Sequence, residues 1–205
     1  MNNNWENLAD EKTINTTIAT LKTHGIDAFV VETGTDAKRK VLDMLPSGAE
    51  VMNMTSVTLN TIGLAEAILN SPKHISIRNQ IEGLDRDKER KEMKKLGAVH
   101  DYVIGSANAV TENGQIILAS NTGSQLPAYV YGADHVIWVV GTQKIVKNLD
   151  EGFKRIYDYV LPLESQRVKK AYGMMHSNVS KLLIINKEVI PSRITLIFAE
   201  EKLGF

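Results

Sequence analysis

Short runs of uninterrupted apolar residues alternate along this chain with segments of helical periodicity, and that alternation leaves few architectures open. HVIWVV at His135–Val140 and IDAFVV at Ile26–Val31 are the clearest runs. Strands that are apolar at successive positions, not at every second one, are those buried on both faces of a parallel sheet. Further strands are expected at Glu50–Met54, His74–Ile77 and Asp101–Ile104, with Lys181–Ile185 and Arg193–Phe198 at the end, joined by Asn186–Ser192.

The intervening segments read as helices. Trp5–His24 places Trp5, Leu8, Ile14, Ile18 and Leu21 near one face, and Gly25 stops it. Thr35-Asp36 can cap a helix running to Leu45, ended by Pro46. Thr55 or Ser56 can cap one that ends at Ser71-Pro72, and DRDKERKEMKKL at Asp85–Leu96 is a charged helix closed by Gly97. Ser124–Tyr131, Asp150–Val160 (capped by Asp150 or Asn148) and Gln166–Tyr172 complete the set. A hairpin breaks the alternation: Ala107–Thr111 and Gln115–Ala119 flank Asn113-Gly114, a strong turn signal. The pattern predicts one α/β domain over residues 1–205, a mainly parallel sheet with helices on both faces. Ligands bind such sheets at the carboxyl ends of the strands, where the polar loops of this chain fall.

Composition narrows the function. Lys+Arg and Asp+Glu are both 24 in 205 residues, so no basic excess draws the chain to a phosphate polymer or an anionic membrane. With no cysteine there is no disulfide, thiolate nucleophile or cysteine-ligated cluster. The opening Met1–Glu6 is polar and unlike a signal peptide, and no apolar run has the length of a membrane span, so a cytoplasmic protein is expected. None of the five histidines has metal-ligand spacing with another; no metal site and no cofactor are expected.

Four loops carry candidate residues. Asn53–Thr58 runs from a strand end into a helix start, where Ser56 and Thr58 either meet an anion or simply cap the helix. Ser106–Gly114 contains Asn108, an amide near a strand terminus, then Thr111, Glu112, Asn113 and Gly114. Glu112 is an acid, base or acyl-forming nucleophile in one reading and a solvent-facing turn residue in the other. Asn121-Thr122-Gly123-Ser124-Gln125 is a second strand-to-helix crossing; Asn121, Gly123, Ser124 and Gln125 can cradle a ligand or merely form a turn. Lys144, in GTQK after the buried run, is either a cation for a substrate anion or an exposed lysine.

These residues have a familiar order. NAVTENGQI, then GSQLPAYVYGADHVIWVVGTQKIVKNLDEGFKRI, and the closing RITLIFAEEKLGF resemble the LUD domain family, lactate-utilisation proteins of the type C component, and SVTLNTIGLAEAI resembles its early helix start. The resemblance implies a three-layer α/β/α fold like that of the NagB/RpiA/CoA transferase-like superfamily, and a bacterial role in L-lactate oxidation beside iron–sulfur sister proteins. Two departures stand out. Asn53-Met54-Thr55 replaces a glycine-bearing loop, and Gly123-Ser124-Gln125 stands where many members have Gly-Asn-Arg, which removes a cation.

Three functions are open. The first is binding of a small anionic metabolite or nucleotide-like ligand in a loop pocket. The second is acyl transfer of the coenzyme A transferase type through Glu112, which rests on analogy of fold. The third is a scaffold for iron–sulfur lactate-oxidation proteins, with Leu203-Gly204-Phe205 and Met174-Met175 as apolar contact candidates. The expected partners are the metabolite, those proteins and a second copy of the chain, with nucleic acid and membrane left out.

Overall fold

The computed structural model describes residues 5–173 and 176–205. The strands are β1 (Asp27–Val31), β2 (Glu50–Asn53), β3 (Ile75–Ser76), β4 (His100–Gly105), β5 (Ala109–Thr111), β6 (Ile116–Ser120), β7 (Ala133–Gly141), β8 (Ile145–Val146), β9 (Lys181–Ile185) and β10 (Ile194–Ala199). The helices are α1 (Glu11–Thr23), α2 (Gly34–Met44), α3 (Val57–Thr61), α4 (Leu64–Leu69), α5 (Ile77–Glu82), α6 (Arg90–Leu96), α7 (Leu149–Arg155) and α8 (Leu161–Tyr172).

Six strands form the central sheet in the order β1-β10-β7-β4-β2-β3, every pairing parallel. Successive side chains of a strand point to opposite faces, and the core divides accordingly. Val136, Trp138 and Val140 of β7 join Leu196 and Phe198 of β10 in one cluster, with α1, α5 and α6 packed there. Ile137, Val139, Ile197 and Ala199 join Ala37, Val41, Leu59 and Leu64 of α2, α3 and α4 on the other face. The chain is therefore α/β, with a parallel central sheet between helical layers.

The hairpin grows into a second sheet, β8-β5-β6-β9, which the sequence pattern does not show. Val110, Ile116 and Leu118 press one face of it onto the central sheet. Ala109, Ile117 and Val146 press the other onto Phe153 of α7 and onto Ile156 just after it. The predicted antiparallel pairing of β5 with β6 is present, while β8 joins β5 in parallel.

Several expected boundaries move, each for a local reason. The first helix begins after Asp10, whose carboxylate accepts the amide of Thr13 (2.7 Å) and fixes the N-terminus there, not at Trp5. Thr33, two residues earlier than expected, caps α2. Of the charged stretch Asp85–Leu96, the helix keeps Arg90–Leu96; Asp85 instead accepts the amides of Asp87 and Lys88, a turn that competes with helix. His74–Ile77 yields only a two-residue strand before α5. The expected helix at Ser124–Tyr131 is a single widened turn at Ala128–Gly132. Asp150–Val160 and Gln166–Tyr172 are one continuous helical rod from 149 to 172, widened to π geometry at Ile156–Val160. Pro162, which has no N–H to donate back along the rod, follows that widening. The run Ile26–Val31 is less buried than expected, because β1 is an edge strand that leaves Phe29 and Val30 partly exposed.

Candidate ligand-binding cleft

Four loops leave the carboxyl ends of β2, β4, β7 and β10 and meet above the sheet. They carry Thr55–Thr58, Ser106–Asn108, Thr142–Lys144 and the tail 200–205. The first three and Phe205 line a small recess of about 100 Å³. It adjoins a cleft of about 400 Å³ walled by the 121–125 loop, by Ile156 and Val160 of the widened turn, and by Glu164 and Arg167 of α8. Thr55, Asn108, Phe205 and the Glu164–Arg167 pair line both compartments, so the one carboxylate at the recess is already matched by an arginine. The strand-end placement is the one a parallel sheet dictates.

Lys144 forms the recess wall. Its side chain is buried at 2 % exposure, although it follows a polar stretch that reads as a surface loop. Its Nζ donates to Thr58 Oγ1 (3.1 Å), Ser106 Oγ (3.3 Å) and the carbonyl of Ala107 (3.3 Å). No carboxylate among the described residues pairs with it. Burial, aided by the nearby charge of Arg155, brings its pKa down to about 7, so the amine is divided between its two protonation states near neutrality.

Arg155, at the end of α7, is the second buried cation, with no exposed surface at all. Its Nη1 donates to the carbonyl of Asn108 (2.6 Å), while Nε and Nη2 have no partner among the described residues. Desolvation lowers its pKa to about 10, and the Tyr159 ring lies 5.4 Å from the guanidinium carbon. The two cations thus hold consecutive carbonyls, 107 and 108, of one loop. Asn108 is fixed further: its Oδ1 accepts the amide of Ala119 (2.7 Å) and its own amide donates to the carbonyl of Ile117 (3.0 Å). That leaves its Nδ2 without a protein hydrogen bond among the described residues.

The remaining predicted residues separate into two groups. Ser56 lines the recess and accepts the amide of Leu59 (3.4 Å), so it does cap α3; Thr58 donates to the carbonyl of Leu203 (3.2 Å). Asn121, Ser124 and Gln125 line the outer cleft. Gly123 turns with φ +82°, a left-handed conformation that favours glycine. Thr111, Glu112, Asn113 and Gly114 line neither compartment. They form the far turn of the hairpin: Thr111 Oγ1 accepts the amide of Gln115 (3.0 Å), and the half-buried Glu112 donates its amide to the carbonyl of Val146 (2.8 Å). Asn108 and Glu112 flank the strand β5, and four extended residues put about 13 Å between them.

The sequence gives no sign of Arg155, Glu164 and Arg167 at the site, and it offers Phe205 only as part of an apolar contact tail. Glu164 and Arg167 pair through two bonds of 2.7 Å each, an i,i+3 spacing visible in the sequence, but nothing there says that the pair faces a cleft. The tail offered as an apolar contact is packed instead: Leu203 is fully buried, and its carbonyl also accepts Gln143 Nε2 (3.0 Å). Met174 and Met175 lie outside the described residues. No helix among the described residues is long and apolar enough to cross a membrane.

The arrangement defines an α/β domain with a cleft at the strand ends and two buried cations behind it. The LUD domain model matches residues 14–198, and the chain belongs to that family, a lactate-utilisation-type domain in agreement with the resemblance read from its motifs. A crystal structure of a DUF162 family protein from Deinococcus radiodurans superposes with a TM-score of 0.57 at 14% identity, covering 94% of this chain and 99% of that one. That likeness extends the shared fold over nearly the whole chain. No curated protein matches it.

Proposed function

We propose that this LUD domain binds a small metabolite bearing a carboxylate or phosphate in the recess beside Lys144, in the metabolism of L-lactate oxidation. The observation that carries the reading is the pair of adjacent buried cations, Lys144 and Arg155, whose hydrogen-bond partners are all neutral oxygens. A buried charge without a counter-charge is costly, and folds keep such charges where a function uses them. An anion entering the recess supplies the missing charge. The hydroxyl of Ser56 and the Nδ2 of Asn108 give it oriented donors.

The protonation of Lys144 gives the reading a signature. An anion favours the ammonium form, so binding above pH 7 draws a proton from solvent. Calorimetry at pH 7.5 in two buffers of different ionisation enthalpy, with L-lactate, pyruvate and a sugar phosphate, is expected to show proton uptake with at least one of them. Lys144→Met is expected to abolish both binding and uptake. If none of the three binds, or if the variant binds as the parent does, the reading fails. Glu112 stands outside this cleft, so the arrangement lends acyl transfer through that residue no support.

A further inference from the structure

Beyond Thr55 and the 122–125 loop lies a larger groove of about 900 Å³ with a different character. Its floor is apolar, made by Met52, Met54, Ile81 and Met93. Four cations line it, Arg78, Arg86, Arg90 and Lys94, and no carboxylate does. In a chain of zero net charge that is a local concentration of one sign. Of the acidic residues in the same segment, Asp85 pairs with Lys88 and its own turn, Glu92 with Lys95 and Glu89 with the amide of Asp85, while Glu82 and Asp87 stand outside the groove lining.

Arg78 ties this groove to the sheet. Its Nε and Nη2 donate to the carbonyl of Asn53 at the end of β2 (3.0 and 2.8 Å), and Nη2 also reaches Thr55 Oγ1 (3.2 Å). Nη1 remains over. Arg86, Arg90 and Lys94 make no ion pair among the described residues, so their charge is available.

We propose that this groove binds a nucleoside di- or triphosphate, with its phosphates on Arg86, Arg90, Lys94 and Nη1 of Arg78 and its base on the methionine floor. A bare anion has no use for an apolar floor, and an apolar ligand has no use for four cations; a nucleotide uses both. Guanidinium groups bind phosphate oxygens two at a time, and thioether sulfur packs well on a flat ring. The volume lies in the range of sites that enclose ligands of this size. The proposal stands apart from the Lys144 reading, because the groove shares only Thr55 with that recess.

Calorimetric titration of the full chain with ATP, ADP, adenosine and inorganic tripolyphosphate tests it. ATP and ADP are expected to bind, with adenosine and tripolyphosphate each at least about tenfold weaker. Arg86→Ala with Arg90→Ala is expected to weaken ATP at least about tenfold, without lowering the melting temperature, because both side chains are exposed. Lys88→Ala with Lys91→Ala removes equal charge from the same segment outside the groove lining and is expected to leave ATP affinity within about threefold. Lys144→Met is expected to leave ATP affinity unchanged, so loss of the small-anion site and loss of this one read separately. The proposal is overturned if ATP does not bind at millimolar concentration, if tripolyphosphate binds as tightly as ATP, or if the control pair weakens ATP as much as the arginine pair.

Discussion

The fold buries cations in two places and treats them in opposite ways. Arg193, 4 % exposed, meets a carboxylate and three carbonyls: Nη1 donates to Glu188 (2.8 Å), Nε to Ala133 (3.0 Å), and Nη2 to Ala128 and Tyr129 (3.3 and 3.1 Å). It stitches the start of β10 to the widened turn before β7, and its charge is compensated on the spot. Lys144 and Arg155 lie at the carboxyl end of the sheet with only neutral acceptors. A chain selected only for stability would pair these or replace them with apolar residues, which is often neutral or better. The difference separates a structural cation from one held ready for a ligand.

The comparison can be broken most sharply by pH. Lys144 has its folded pKa depressed to about 7 from the 10.5 of an unfolded lysine. The folded state carries the full cost of the buried charge below pH 7, and that cost is relieved as pH rises from about 7 toward 10.5, where the unfolded chain still binds the proton. The parent protein is expected to gain stability relative to Lys144→Met across that window, by on the order of 4 kcal/mol. Denaturant unfolding of both at pH 6 and pH 9 captures about 3 kcal/mol of it; parallel curves would place Lys144 in water.

Next in size, Arg193→Ala is expected to cost about 3–5 kcal/mol, because it strands a carboxylate and three carbonyls. Lys144→Met at pH 6 is expected to leave stability unchanged or raised, and equal losses in the two variants would erase the contrast. Arg155→Ala follows, at about 3 kcal/mol from the cavity and the orphaned carbonyl of Asn108. It is also expected to move the Lys144 titration upward, since the Arg155 charge helps hold that pKa down; an NMR titration of the lysine side chain checks this. Smaller still, Gly114→Ala forces a side chain onto φ +76° with its Cβ 2.8 Å from His24 Nδ1, at a cost of about 1–2 kcal/mol in thermal unfolding. Smallest is Glu112→Gln, a turn substitution expected to stay within about 0.5 kcal/mol and to leave ligand affinity untouched.

Particular residues show where reading the sequence stops. The Asn113-Gly114 turn and the apolar run of β7 are local signals, carried by backbone preference and continuous hydrophobicity, and both were legible. The second sheet was not. β8 is two residues long and has no pattern of its own, and β9, although legible as a strand at Lys181–Ile185, carries no local sign that it pairs with β6 of the hairpin. The candidate residues show the same divide. Glu112 and Lys144 look alike in sequence, each a charge in a polar loop after a strand. One end of β5 turns into a half-buried hairpin tip, while the loop at the other end is clamped beside a lysine covered by Thr58, Ser106 and the Leu203–Phe205 tail, parts far apart in the chain.

By itself, then, the amino-acid order determined the alternation of strands and helices, the parallel sheet they form, the hairpin, and the family to which these motifs belong. Each of those follows from neighbours along the chain, through periodicity, capping and turn chemistry. Tertiary structure alone decided which cations are buried and whether they find a counter-charge, because desolvation depends on what distant segments pack over a side chain. Lys144 and Arg193 are both cations in sequence, and only packing made one a brace and left the other uncompensated at the floor of a cleft.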